Sequence, residues 1–363
     1  MRFGIFSLPT YFPEVDGTLT EFYEHILQLL TDSEALGFDI AWCNEHHFHP
    51  YGGMIPMPAV LLAAVAARTT RLRLGTSVAL VPLHHPLETA EAYAMLDQIS
   101  GGRLELGMGR GFMKFDYDTY GIPWEEGQDR VYEYLDILQA AWSERPFRFE
   151  GRFYEFHDVE VWPQPCQTPH PPIWGAASRN PASFEWWGAR GFNLLTVAQH
   201  YPLERLAGTL GQYRAAAAAN GHDAAALQVQ THYQVYCAET RDEAYRSGKA
   251  AIDRYRGQIE GAIPRGNNAF TPPPHVPFEE MIEQARFCIG TPDDCAAILE
   301  RARTTLGLTG VDCTFYFGGL DYIQARRSFE LFAHEVIPRF RAQPALAQQG
   351  SEVSHRAAEP IIS

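Results

Sequence analysis

The chain has 363 residues, of which 46% are hydrophobic, 20% charged and 13% aromatic, a composition that supplies a large core and excludes a disordered protein. Its 29 basic residues against 44 acidic ones leave a formal charge of −15. That balance repels phosphate backbones and anionic surfaces, so neither nucleic acid nor a membrane is expected as a partner.

The N-terminal residues Met1–Phe6 carry one charge and a short apolar run before Pro9 and Pro13, and no signal-peptide core is expected there. The longest apolar stretch, Pro58–Ala67, is about half of what a bilayer span needs. Cys43, Cys166, Cys237, Cys288, Cys295 and Cys313 are scattered and form no C-x-x-C pair, so they read as free, mostly buried thiols of a cytoplasmic protein.

Strand-like and helix-like segments alternate along the chain. Arg2–Ser7 reads as a strand, and Leu19–Leu36 as a helix that Gly37 terminates. Phe38–Cys43 is the second strand, Ala59–Arg68 a helix, Leu72–Val81 the third strand and His85–Ile99 a helix. Leu104–Met108 is the fourth strand, and Gln128–Ser143 an amphipathic helix with Leu135, Leu138 and Trp142 on one face. Residues 145–172 then break the pattern with aromatics and prolines, and a hairpin is expected around Glu150-Gly151. Ile173–Ala176, Phe192–Thr196, Gln228–Cys237 and Val311–Phe317 complete the strands. The helices Pro181–Arg190, Leu203–Asn220, Arg241–Glu260, Thr291–Thr304 and Tyr322–Phe340 separate or follow them. Residues 261–278 read as a loop near the mouth and 344–363 as a disordered tail.

Eight strand–helix pairs without a break in composition predict an α/β fold, one (β/α)8 barrel over residues 1–343 with insertions at 145–172 and 261–278. An open doubly wound sheet is the alternative. In a barrel the chemistry lies on the loops that follow strands. After the second strand stands Asn44-Glu45-His46-His47-Phe48-His49. Three readings compete for it: a metal site joined by His84 and His85, histidines bonded inside the barrel mouth, or one histidine moving protons with its near-neutral pKa.

Glu45-His46-His47-Phe48 behind Gly37, Phe38, Asp39 and Trp42 resembles the bacterial luciferase-like flavin monooxygenases. Further segments agree in the same order. They are Leu74–Val78 with Pro82 and His85-Pro86, Asp97–Arg103, Gly107–Gly111, Pro172–Trp174 with Glu185-Trp186 and Arg190-Gly191, and Gly290–Cys295.

The resemblance implies a TIM barrel that takes reduced FMN from a separate flavin reductase and uses O2 through a flavin 4a-hydroperoxide. The products would be those of carbonyl oxidation, Baeyer–Villiger insertion or hydroxylation of a small organic substrate. His46 matches the catalytic histidine and Glu45 lines the flavin site. Ser77-Val78 falls where the family holds a non-prolyl cis peptide, with Thr196 and Val197 flanking the ring from the other side. Arg110 matches the phosphate arginine, and Ser178, Arg179, Asn180 and Ser183 would add a helix start with free N–H groups. Phe6, Tyr11, Phe48 and Phe112 would exclude water, with the two insertions as lid and substrate wall.

Light-emitting members carry a reactive cysteine where Gly109 stands, and Phe112-Met113 alters the aldehyde pocket, so a smaller or natural-product substrate fits better than a fatty aldehyde. The family often forms homodimers. The rival readings are a deazaflavin-dependent dehydrogenase of the same superfamily, a non-catalytic partner subunit, and a metal-dependent hydrolase using His46, His47, His49 and His84.

Overall fold

The strand segments pair in chain order and the last returns to the first. In the computed structural model of the chain, which describes residues 1–262 and 276–341, eight parallel strands close a barrel. They are β1 (Arg2–Ser7), β2 (Ile40–Cys43), β3 (Arg73–Thr76), β4 (Leu104–Gly109), β5 (Ile173–Ala176), β6 (Asn193–Val197), β7 (Val229–Cys237) and β8 (Gly310–Thr314). Gly4 pairs with Ile40 on one side and Asp312 on the other, and β7 bridges β6 and β8, which shuts the ring. The open doubly wound alternative is thereby excluded.

Closure removes every edge, which is why β2, β4, β7 and β8 are buried at each position. Large side chains fill the interior. Trp42 and Trp174 meet edge to face at 5.5 Å, and their indole N–H groups donate to Gln230 and Glu105. Arg2 and Arg73 pair with Glu105 at the N-terminal end, so charge plugs the floor while the opposite end stays open.

Caps set the helix boundaries. Thr18 with Glu21, Thr291 with Asp294 and Asp321 with Gln324 each form a capping box. The helix expected to run to Leu36 stops at Asp32, and Gly37 falls in the loop beyond it. The third strand also stops early, at Thr76, and Ala79–Leu80 resumes pairing with Met108–Gly109. Short elements without a counterpart in the expected pattern include the helices Pro13–Asp16, Lys114–Tyr120 and Phe278–Glu283, the 3-10 turn Trp124–Glu126, and the strand Cys288–Gly290 beside β7.

The expected hairpin forms from Phe147–Glu150 and Glu155–Val159. It docks on the side of the helix Gly127–Ser143, where the Glu133 carboxylate accepts the backbone N–H groups of Arg152, Phe153 and Tyr154. All six cysteines are free, and five of them are buried. Among the described residues no helix is long and apolar enough to cross a membrane. Most of the expected loop 261–278 and the tail 344–363 lie outside the described residues.

Candidate active site

A cavity of about 400 Å³ opens at the carboxyl ends of the strands, the size of a small-molecule site. Every strand except β8 sends residues to its wall. Glu45, His46, Ser77, Val78, Arg110, Phe112, Ser178, Arg179, Asn180, Ser183, Thr196 and Val197 all line it. These twelve residues span 152 positions of chain, and the barrel brings them to one place because each stands at or just beyond a strand's end.

Two expected contributors are elsewhere. Tyr11 donates to the Gly17 carbonyl and packs on Phe22, and Phe48 is half exposed beside Tyr120. None of residues 145–172 reaches the cavity. That segment connects a helix back to a strand, so its chain path favours the side and floor of the barrel over the mouth.

The phosphate side centres on Arg110. Burial lowers the pKa of its guanidinium, but an arginine remains protonated, and it lies 3.9 Å over the Trp124 ring. It forms no ion pair among the described residues. The nearby helix Pro181–Ala189 starts with Asn180, whose side chain accepts from Ala182 N–H, while Ser183 N–H donates to the Asn180 carbonyl. This helix start therefore holds fewer open N–H groups than expected, leaving the Ser178–Asn180 turn and the Ser183 hydroxyl.

A flat wall stands between phosphate side and histidine side. The Ser77–Val78 peptide is cis, as the resemblance implies. Gly109 lies against it: a Cβ there would fall 2.7 Å from the Val78 side chain, so any larger residue at this position would have to displace Val78. Across the cavity, Thr196 presents a buried hydroxyl that has no hydrogen-bond partner among the described residues.

The loop after β2 sorts its polar residues into two groups. Glu45 accepts from Nε2 of His47 at 2.8 Å, from Nε2 of His84 at 2.6 Å and from Leu80 N–H at 3.0 Å. Burial alone would raise the Glu45 pKa, but these partners hold it below the ordinary value, so the carboxylate is ionised and both imidazoles donate. Burial works to lower the pKa of His84 in turn, and the Glu45 carboxylate outweighs it and raises it. With their Nε2 atoms on Glu45, His47 and His84 make an internal hydrogen-bonded unit, whose ligand atoms also stand close enough together to hold a metal ion.

His46 belongs to the other group. It is 8% exposed, its Nδ1 has no partner among the described residues, and Gly52 packs so close that a Cβ there would meet its ring at 2.8 Å. Burial first, then His49, push its pKa down to about 3. The near-neutral titration expected of this histidine is therefore corrected: the imidazole is uncharged at pH 7. His200 and His232, which also line the cavity, are each lowered to about 3, mainly by burial. With three neutral imidazoles, the cavity's fixed positive charge comes from Arg110 and Arg179.

Sequence reasoning missed His232, Gln199, Tyr51 and Tyr255. Gln230, His232 and Gln234 alternate along a strand buried at all nine positions, and that period-two polar row marks a barrel interior. Nothing comparable links Tyr51 with Tyr255, whose hydroxyls lie 3.0 Å apart although 204 positions separate them.

The residues fit a flavin cofactor that carries a phosphate. A half-buried cation with no ion pair among the described residues suits the phosphate, the Ser77–Val78 backbone against Gly109 offers a wall for the ring, and the buried Thr196 hydroxyl can meet a polar atom.

The family profile described as luciferase-like monooxygenase matches residues 1–309. The oxygenase component of the flavin-dependent trigonelline monooxygenase of Acinetobacter baylyi is 32% identical over 222 residues, 60% of this chain and 59% of that protein. The crystal structure of the monooxygenase RslO1 from Streptomyces bottropensis superposes with a TM-score of 0.86 at 32% identity, covering 94% of this chain and 100% of that one. The coenzyme F420-dependent tetrahydromethanopterin reductase of Methanopyrus kandleri shares the fold, with a TM-score of 0.70 at 21% identity over 93% of this chain and 99% of that one.

Proposed function

Because the chain belongs to the luciferase-like monooxygenase family, we propose that it is the oxygenase of a two-component system. It takes reduced FMN from a separate reductase and uses O2 to oxygenate a small organic substrate. The convergence of Arg110, the cis Ser77–Val78 peptide and His46 on one cavity carries this reading.

Reduced FMN, when bound, would supply the two electrons needed for one atom of O2 to enter the substrate while the other leaves as water. The protein's own work is binding, exclusion of water and proton handling. Arg110 forks onto the phosphate with help from Ser178–Asn180 and Ser183, while Glu45, Ser77-Val78, Thr196 and Val197 hold the ring. Phe6, Leu8, Tyr51 and Phe112 keep the reacting end dry. His46, neutral at pH 7, gives an N–H proton to a developing oxygen anion or takes one from a substrate hydroxyl. Phe112 and the two tyrosines shape the space beyond the ring. An oxygenated product of carbonyl insertion, aldehyde oxidation or hydroxylation suits a cavity of this size.

A homodimer forms part of the proposal. Leu62, Val65, Tyr93 and Leu96 turn into the core, and the exposed Met57, Val60, Met95 and Ile99 on the same stretch of chain supply an apolar face.

The test is oxygen consumption and product formation with reduced FMN against reduced deazaflavin. Consumption of O2 coupled to substrate oxygenation with reduced FMN supports the oxygenase. Hydride transfer from reduced deazaflavin without O2 identifies the dehydrogenase instead.

A further inference from the structure

The buried carboxyl group that no proposed role has absorbed is Asp116, in the short helix Lys114–Tyr120 that follows β4. It is 1% exposed, and neither of its carboxylate oxygens has a hydrogen-bond partner among the described residues. Asp16 accepts from Phe12 N–H and Tyr316, Asp97 from Leu104 N–H and Gln167 N–H, and Glu105 from Trp174, while buried Asp312 has one oxygen without a partner among the described residues and Asp116 has two. An ionised carboxylate left this way costs several kcal/mol by general estimates, so the group is held as the neutral acid.

Its position gives that proton a destination. A carboxylate oxygen of Asp116 and ring nitrogens of His46 and His49 lie within 4.8 Å of one another, a span that one bridging water or a small rotation closes. His46 lines the cavity and Asp116 stands behind it. The loop after β2 presents Glu45, His46, His47 and His49 toward this region, and the carboxyl group's own helix adds Tyr117 and Tyr120. Of these, His47 favours the carboxylate and Glu45 opposes it. The helix's one lysine, Lys114, is committed to Asp118.

We propose that Asp116 is the proton store for His46, a positioning residue that acts through the imidazole rather than on the substrate. In the step, the N–H proton of His46 moves from its cavity-facing nitrogen to an oxygen anion as the Asp116 O–H proton passes to the other ring nitrogen, so the imidazole stays neutral, and rotation of the ring restores the starting tautomer. A proton from bulk water then restores the carboxyl group, with no change of oxidation state. The proposal rests on His46 being the proton-handling group of the cavity. It explains how an imidazole too weakly basic to hold a charge at pH 7 is resupplied inside a dry site.

The experiment uses the full-length protein and Asp116→Asn, whose amide keeps the shape and has no acidic proton. In flavin-free protein, the infrared difference between wild type and variant isolates the Asp116 carboxyl stretch from that of Asp312, whose pKa burial also raises. A protonated-carboxyl band that fades as pH rises through about 7 is expected. Titration of isotope-labelled aspartate in the wild type gives the same reading should the variant fold poorly. In turnover with reduced FMN, the wild type loses rate above about pH 7. The variant is expected to lack that limb and to run about tenfold slower, with reduced-FMN binding unchanged. Absence of the band at pH 6, or a variant that keeps the falling limb, overturns the proposal. If reduced FMN fails to drive oxygen consumption at all, the oxygenase reading fails, and the infrared titration still decides whether Asp116 stores a proton.

Discussion

Two groups of the same residue types meet near the end of β2, and they differ in one respect. Glu45, His47 and His84 satisfy one another, with Leu80 N–H completing the carboxylate's shell. His46 and Asp116 keep buried polar atoms without partners among the described residues. The arginines after and before β4 repeat the contrast. Arg103 spends its guanidinium on Ser100, Thr69, Leu72 and Ala66, whereas Arg110 lies on Trp124 with no ion pair among the described residues. A buried polar group with partners in the chain holds the chain together, and one without them is kept for a ligand or a reaction.

Five substitutions break or sharpen this contrast, in falling order of effect. His46→Ala is expected to lower turnover by about 10²–10⁴-fold while reduced FMN binds within a few-fold of wild type, as single-turnover and binding assays would show. Arg110→Ala is expected to weaken FMN binding by roughly 10–100-fold and leave riboflavin, which has no phosphate, unaffected. Arg103→Ala should reverse that pattern, with a lower melting temperature and normal FMN affinity in whatever protein stays folded.

Glu45→Gln is expected to lose about 2–3 kcal/mol of stability at pH 7 in urea unfolding. The sign with pH follows from the depressed pKa of Glu45. Its contribution is present above the unfolded-state value and vanishes as pH falls through the folded one, so the variant should show the smaller loss on acidification. The smallest effect belongs to His157→Ala. His157 sits with Glu150 and Glu155 in an exposed cluster of similar composition, and a change within about 0.5 kcal/mol with unaltered flavin binding is expected.

The same contrast shows what the sequence could reveal. The eight barrel strands were legible because each buried strand is a short apolar run bounded by turn residues and followed by a helical period. The short helix Lys114–Tyr120 was not, since seven residues with three aromatics carry too little periodicity. Its omission hid Asp116. The cavity residues Glu45, His46, Ser77, Val78 and Arg110 stand at strand ends, where barrel geometry directs attention. Tyr255 comes from the middle of the long helix Arg241–Ala262, and only the folded chain brings it to Tyr51. The pKa of His46 was likewise out of reach, because burial sets it and no local motif encodes burial. The 145–172 segment misled for a related reason: excess length suggests a lid, while its place between a helix and the next strand puts it beside the barrel.

The central claim is that this cavity holds FMN with its phosphate on Arg110 and its ring beside His46. A crystal structure of the FMN complex tests it most directly. The account requires the phosphate within hydrogen-bond reach of the Arg110 guanidinium and of the Ser178–Asn180 turn, with the ring seated on Ser77–Val78. A phosphate bound elsewhere, or a ring remote from His46, would contradict it.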